Sequence, residues 1–191
     1  EMGLNDTGLI LEIVDRVVAN HSVDESRIYL TGWSNGCSLS QKLANDHSDV
    51  FAAVACMSYY LLEDPSPDYS PIPIMEIHGL EDQIILYSND AIHLPNMDAQ
   101  KHGAIQNLQQ WGNMNGCGDK APDSNSPSVF YSVQSFTDCD NGTEVSLVTL
   151  YAADHNPYEE GIGVFVGNGG TVDTNGIAWE FLSRFSKATE E

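Results

Sequence analysis

Apolar residues recur at helical spacing over residues 6–19, where Leu9, Ile13 and Val17 form one row and Ile10, Val14 and Val18 another, each at i, i+4, i+8. That rhythm predicts a helix burying one face, with Asp6 or Thr7 as its cap. The period then changes. Arg27-Ile28-Tyr29-Leu30-Thr31 is β-branched and aromatic and stops at Gly32, which predicts a buried strand. From Asn35 to about Asn45 the helical rhythm returns through Cys37, Leu39, Leu43 and Ala44. Short apolar runs at 51–57 and 71–77, each preceded by polar or proline-rich punctuation, predict two parallel strands. Residues 98–111 predict a weaker helix, flawed by Gly103. Runs at 129–134 and 144–150 predict a hairpin around Asn141-Gly142, because that dipeptide accepts positive φ. Ile177, Ala178, Phe181, Leu182 and Phe185 mark a last helix.

Strands alternating with helices, without repeats, low-complexity blocks or a linker, predict one α/β domain with a doubly wound, mostly parallel sheet. The 191 residues, 41% of them apolar, are enough for one core. Charge narrows the partners. With 28 acidic against 7 basic residues the formal charge is -21, which repels phosphate backbones and anionic lipid over about a Debye length. Neither nucleic acid nor a membrane is expected as a partner. No apolar run approaches the ~20 residues that cross a bilayer, and residues 1–10 have neither a basic stretch nor an apolar stretch of a signal peptide. Cys37, Cys56, Cys117 and Cys139 lack CxxC spacing, which argues against zinc and is compatible with two disulfides. With few lysines and sequons at Asn5, Asn20 and Asn141, they point to a secreted glycoprotein that is mature or truncated.

Candidate chemistry centres on Gly32-Trp33-Ser34-Asn35-Gly36, a G-x-S-x-G motif between a predicted strand and a predicted helix. There the glycines spare a collision with the neighbouring strand or helix, and the serine hydroxyl stands at a helix N-terminus, where an oxyanion is favoured. A serine alone is a weak nucleophile, so a histidine and a carboxylate are required. In elbow-bearing hydrolases they follow in the order acid, then histidine. The loop His78-Gly79-Leu80-Glu81-Asp82 after the third strand supplies the acid, with Asp82 preferred to Glu81. The loop after residue 150 supplies His155, and the adjacent Asp154 would have to bend back awkwardly to orient that ring. His78 is expected to pack or hydrogen-bond inside its turn, and His21, His47, His93 and His102 to lie on polar surfaces. Trp33, Tyr87, Asn156 and Tyr158 are candidate pocket residues. The acidic run at 138–144 lacks the spacing of a calcium loop, so no metal and no cofactor is expected.

The blocks VDESRIYLTGWSNGCSLSQKLA, FAAVACMS, PIPIMEIHGLEDQIILY, WGNMNGC, DCDNGTEVSLVTLYAADH and WEFLSRF occur in an order that resembles the secreted polyhydroxybutyrate depolymerase and feruloyl esterase group of α/β-hydrolases. The resemblance runs from about residue 6 to the end. It implies carboxyl-ester hydrolysis with Ser34 as nucleophile, Asp82 as acid and His155 as base; Asn35, next after the serine, can offer one backbone N–H to the oxyanion. It also implies a disulfide between Cys117 and Cys139, leaving Cys37 and Cys56 to pair or to stay buried thiols, the plainer expectation. Two departures stand out. Asn156-Pro157-Tyr158 follows the histidine where the family tends to have tryptophan-proline-glycine, and Ala153 and Asp154 precede it in place of glycines. A chain of this family also places several strands before its elbow strand, whereas here the elbow comes at residue 34.

The sequence thus predicts a single α/β-hydrolase catalytic domain over residues 1–191, lacking the N-terminal strands and forming the C-terminal part of a longer chain. A missing N-terminal segment or a second chain would complete the sheet. The expected activity is a secreted serine esterase acting on polyester or feruloyl-type substrates. The alternative is a non-catalytic binding or structural subunit on the same scaffold.

Overall fold

A computed structural model describes residues 5–88, 103–118, 121–155, 164–165 and 171–187. Its sheet has six strands in the order β1-β2-β3-β6-β5-β4. β1 (Tyr29–Leu30), β2 (Ala53–Met57), β3 (Ile74–Gly79) and β6 (Val145–Leu150) run parallel. β5 (Tyr131–Phe136) pairs antiparallel with β6, and β4 (Ser124–Pro127) with β5. β7 (Val164–Phe165) and β8 (Thr171–Val172) form a separate two-stranded ribbon. Every residue of β2, β3 and β6 is buried, as apolar strands with both faces covered should be.

Alternation along these strands feeds two cores. Val54, Cys56 and Ile74 point to the side covered by α2 (Asn35–Asp46) and α3 (Ala104–Met114), where Leu43, Leu108 and Trp111 are buried. Ala53, Ala55, Met57, Met75 and Ile77 point the other way, onto Ala178, Phe181 and Leu182 of α4 (Thr174–Leu182). The layering expected from the sequence is the layering found.

Several local expectations shift for physical reasons. α1 (Asp6–Asn20) is capped by Asn5, whose side chain accepts from Gly8 N–H at 2.9 Å, rather than by Asp6 or Thr7. Only one of its apolar rows is used: Ile10, Leu11 and Val14 pack on the core, while Leu9, Ile13 and Val17 stay 44–55% exposed. The strand expected at 27–31 shortens to two residues, because Glu25–Arg27 closes a 3-10 turn and the chain then rises to the elbow. Gly103 starts α3 instead of interrupting it, at φ 154°, and residues 98–102 lie outside the described ones. The Asn141-Gly142 turn takes positive φ at both residues, 57° and 68°. β4 has no counterpart in the sequence pattern, since Ser-Asn-Ser-Pro has no apolar alternation and is largely exposed.

Cysteine pairing corrects one expectation. Cys117 bonds to Cys139 as the resemblance implied, but Cys37 and Cys56 are also a disulfide and not buried thiols. The elbow turn lays the first turn of α2 against β2, bringing their Cα atoms to 4.9 Å, within bridging range. Beside this disulfide Gln41 is fully buried and satisfied, donating to Tyr59 O at 2.8 Å and accepting from Trp111 Nε1 at 2.8 Å.

Candidate active site

Ser34 is set by the turn between β1 and α2. Its N–H donates to Met57 O at 2.9 Å, Met57 N–H donates to Gly32 O at 2.9 Å, and Trp33 bridges to Met57, so the turn is laced to β2. The residue sits at φ 53°, ψ -122°, a region disfavoured for a side chain and held here by those bonds. Gly32 is needed because a Cβ there would lie 2.4 Å from the backbone of Gly36. Gly36 itself has open space, so the collision expected at both flanks occurs at one.

Two more loops converge on the hydroxyl. His155 Nε2 is 3.0 Å from Ser34 Oγ, and His155 Nδ1 is 2.7 Å from Asp82 Oδ2. Asp82 Oδ1 accepts from Ile84 and Ile85 N–H, each at 2.9 Å. The loops meet at Gly79, where a Cβ would fall 2.3 Å from Ala153 O, and Glu81 N–H donates to that same oxygen at 3.0 Å. Glu81 and Asp154, the competing acids, both face solvent. Burial alone would raise the Asp82 carboxyl, but hydrogen bonds from His78, His155 and the two backbone N–H groups overcome it and hold the group below its usual value.

Trp33 is 39% exposed, with its ring 5.2 Å from the His155 ring, so it walls the site on its open side. Tyr87 lies beneath: its hydroxyl pairs with Thr149 Oγ1 at 2.6 Å and its ring stands edge-on to His78 at 5.8 Å. Asn156, Tyr158, His93 and His102 lie outside the described residues. His21 is exposed and His47 half-buried.

His78 packs and hydrogen-bonds inside its turn as expected, with Nε2 2.7 Å from Ile85 O, but the layer it forms with Glu76 and Asn107 was not expected from the sequence pattern. Glu76 and His78, 3% and 0% exposed, pair at 2.6 Å, and Asn107 of α3 donates to the other Glu76 oxygen at 2.6 Å. Burial raises the Glu76 carboxyl. Burial opposes the His78 cation, but its bonds to Asp82 and Glu76 win and raise it to about 9. A charged residue inside the apolar run Ile72-Pro73-Ile74-Met75-Glu76-Ile77 was the available signal. Among the described residues no group of three or more such side chains is gathered for a metal ion. No helix there is long and apolar enough to cross a membrane.

The family model described as esterase PHB depolymerase matches residues 2–141. The chain belongs to this esterase family. The matched span includes Ser34 and Asp82 and ends before His155. Relatives extend the likeness. Over 188 residues the chain is 24% identical to feruloyl esterase B of Piromyces equi, covering 95% of this chain and 32% of that protein. It is 23% identical to a bifunctional acetylxylan esterase/xylanase of Neocallimastix patriciarum over 96% of this chain and 24% of that one. The chain therefore spans about a third or less of these relatives' lengths. An acetyl xylan esterase from Aspergillus awamori shares the fold with a TM-score of 0.63 at 14% identity, over 93% of this chain and 66% of that one. The sheet of this PHB depolymerase family member is thus of the α/β-hydrolase type.

Proposed function

We propose that this chain hydrolyses carboxylic esters, of polyester or feruloyl type, through an acyl-enzyme on Ser34. His155 Nε2 takes the Ser34 proton as Oγ attacks the ester carbonyl, then returns it to the leaving alcohol. A water activated by the same nitrogen releases the acid. Asp82 holds Nδ1–H and so leaves Nε2 free to accept, while its charge stabilises the imidazolium formed during attack. The oxyanion develops beside the Asn35 N–H, at the first position of α2, where a helix N–H has no intrahelical acceptor and the dipole favours negative charge. Trp33, beside the His155 ring, is proposed to line the pocket, with Asn156 and Tyr158 as the sequence suggests, while Tyr87 supports the site from beneath. Two disulfides suit an oxidising, extracellular compartment.

The single observation that carries this reading is the continuous relay Asp82–His155–Ser34 at 2.7 and 3.0 Å, ending on a serine held at positive φ. A fluorophosphonate probe tests it. Stoichiometric labelling mapped to Ser34 is expected, and a full-length protein that resists the probe would favour a non-catalytic binding module instead.

β1 is the edge of the sheet and pairs only with β2 among the described residues. In our reading a strand from a preceding segment or a second chain lies along it and brings the second oxyanion N–H. Outward amides of residues 28–31 should then exchange hydrogen slowly in the complete protein and fast in residues 1–191 alone. Equal rates would contradict the added strand.

A further inference from the structure

Behind Asp82 lies a second carboxylate–imidazole pair whose protons can be counted from its partners. His78 Nε2 is 2.7 Å from the carbonyl oxygen of Ile85, which carries no proton, so Nε2 is the donor. The 2.6 Å contact between His78 Nδ1 and Glu76 Oε1 then needs one more proton, on one atom or the other. Whichever atom holds it, the pair is neutral overall and keeps that proton out of water. Glu76 Oε2 accepts from Asn107 Nδ2 at 2.6 Å, and Asn107 Oδ1 accepts from Leu61 N–H at 3.0 Å, so the carboxylate is fixed from α3 and from the segment after β2.

The same ring edge faces the acid. His78 Nε2 lies 3.5 Å from Asp82 Oδ2, the oxygen that binds His155, and it holds the carbonyl of Ile85, whose own N–H donates to Asp82 Oδ1. One imidazole therefore holds the peptide that caps the carboxylate and sets its positive edge against the carboxylate itself. On the ring's faces, Tyr60 stacks at 5.7 Å and 10°, its hydroxyl donating to Leu86 O, and Tyr87 stands edge-on. Glu76, Asp82, Tyr60 and Tyr87 are the titratable groups set against His78.

We infer that the Glu76–His78 pair is a positioning device for the esterase: it keeps Asp82 aimed at His155 and in its carboxylate form, and so sets the acid side of the activity profile. This rests on the Ser34–His155–Asp82 reading. His78 touches no reacting atom, and acts through Asp82. Losing its N–H removes a positive edge that lies 3.5 Å from a buried carboxylate, which makes Asp82 easier to protonate. It also frees the 84–85 peptide, and small misplacements of a catalytic group are costly.

The test uses His78→Asn, which cannot reach with a donor at the Nε2 position, and His78→Gln, whose amide can. Rates are normalised to active sites by fluorophosphonate titration. His78→Asn is expected to lose about tenfold or more in kcat with KM little changed, and to move the acid limb of kcat/KM up by roughly half to one pH unit. His78→Gln should recover part of both. Glu76→Gln keeps the shape but removes the carboxylate, and should move the limb in the same direction by less, which serves if His78→Asn does not fold. A purely structural role would lower the active fraction and leave the profile per active site unmoved, and that result overturns the inference. Failure of the triad reading looks different: Ser34→Ala would then retain hydrolysis, whatever His78 does.

Discussion

Ser34→Ala is expected to lower kcat for ester hydrolysis about 10⁴- to 10⁶-fold, with KM within a few-fold of the original. The hydroxyl stands at the end of the relay, 3.0 Å from His155 Nε2, so its loss removes covalent catalysis. Binding of substrate needs no Oγ, which is why KM should hold. Residual turnover would come from the oxyanion N–H and from a water placed by His155. His155→Ala should cost a similar factor, and the Ser34→Ala/His155→Ala double variant little more than either, because the groups act as one unit. Steady-state kinetics on p-nitrophenyl acetate, with methyl ferulate and a soluble hydroxyalkanoate oligomer beside it, measures all three. Retention of more than a tenth of the activity in Ser34→Ala would remove the serine mechanism.

The second large effect is the dependence of stability on pH. His78 is raised from 6.5 to about 9 in the folded protein. A group with a raised folded value binds its proton more tightly in the native state, so its contribution is fully present below 6.5 and is lost as pH rises through 9. At about 1.4 kcal/mol per unit, the window corresponds to roughly 3 kcal/mol. Asp82 works in the opposite sense: its lowered value contributes above the ordinary carboxyl range and is lost as pH falls through the folded value. Urea midpoints should therefore be highest on the mildly acidic side of neutrality and fall by pH 9.5. A curve flat between pH 6.5 and 9.5 would mean that the buried pair does not hold its proton.

How the site was legible depended on which residues obey a local rule. Ser34 could be found because a G-x-S-x-G motif between a strand-period run and a helix-period run is a local signal, and its partners because chain order places them after later strands. Asn107 and Tyr60 could not, and Glu76 only as a charge inside an apolar run: they come from separate segments, and they matter through contacts that meet around His78 beneath Asp82. Gly36 matched the motif yet has room for a side chain, whereas Gly79, outside the motif, is the glycine on which the acid and histidine loops meet. Cys37 and Cys56 were open for the same reason, since only the packing of α2 on β2 decides whether two buried sulfurs touch.

Apart from β4 and the β7–β8 ribbon, the order of strands and helices, their two-faced burial and the place of the elbow serine follow from the sequence by itself, because periodicity and turn chemistry act between near neighbours. Where those elements stop, which apolar row of α1 faces inward, which cysteines pair and what stands behind the acid were decided only in the tertiary structure. Apart from element ends set by neighbouring turns, these depend on distances between separate segments, and no local preference encodes a distance.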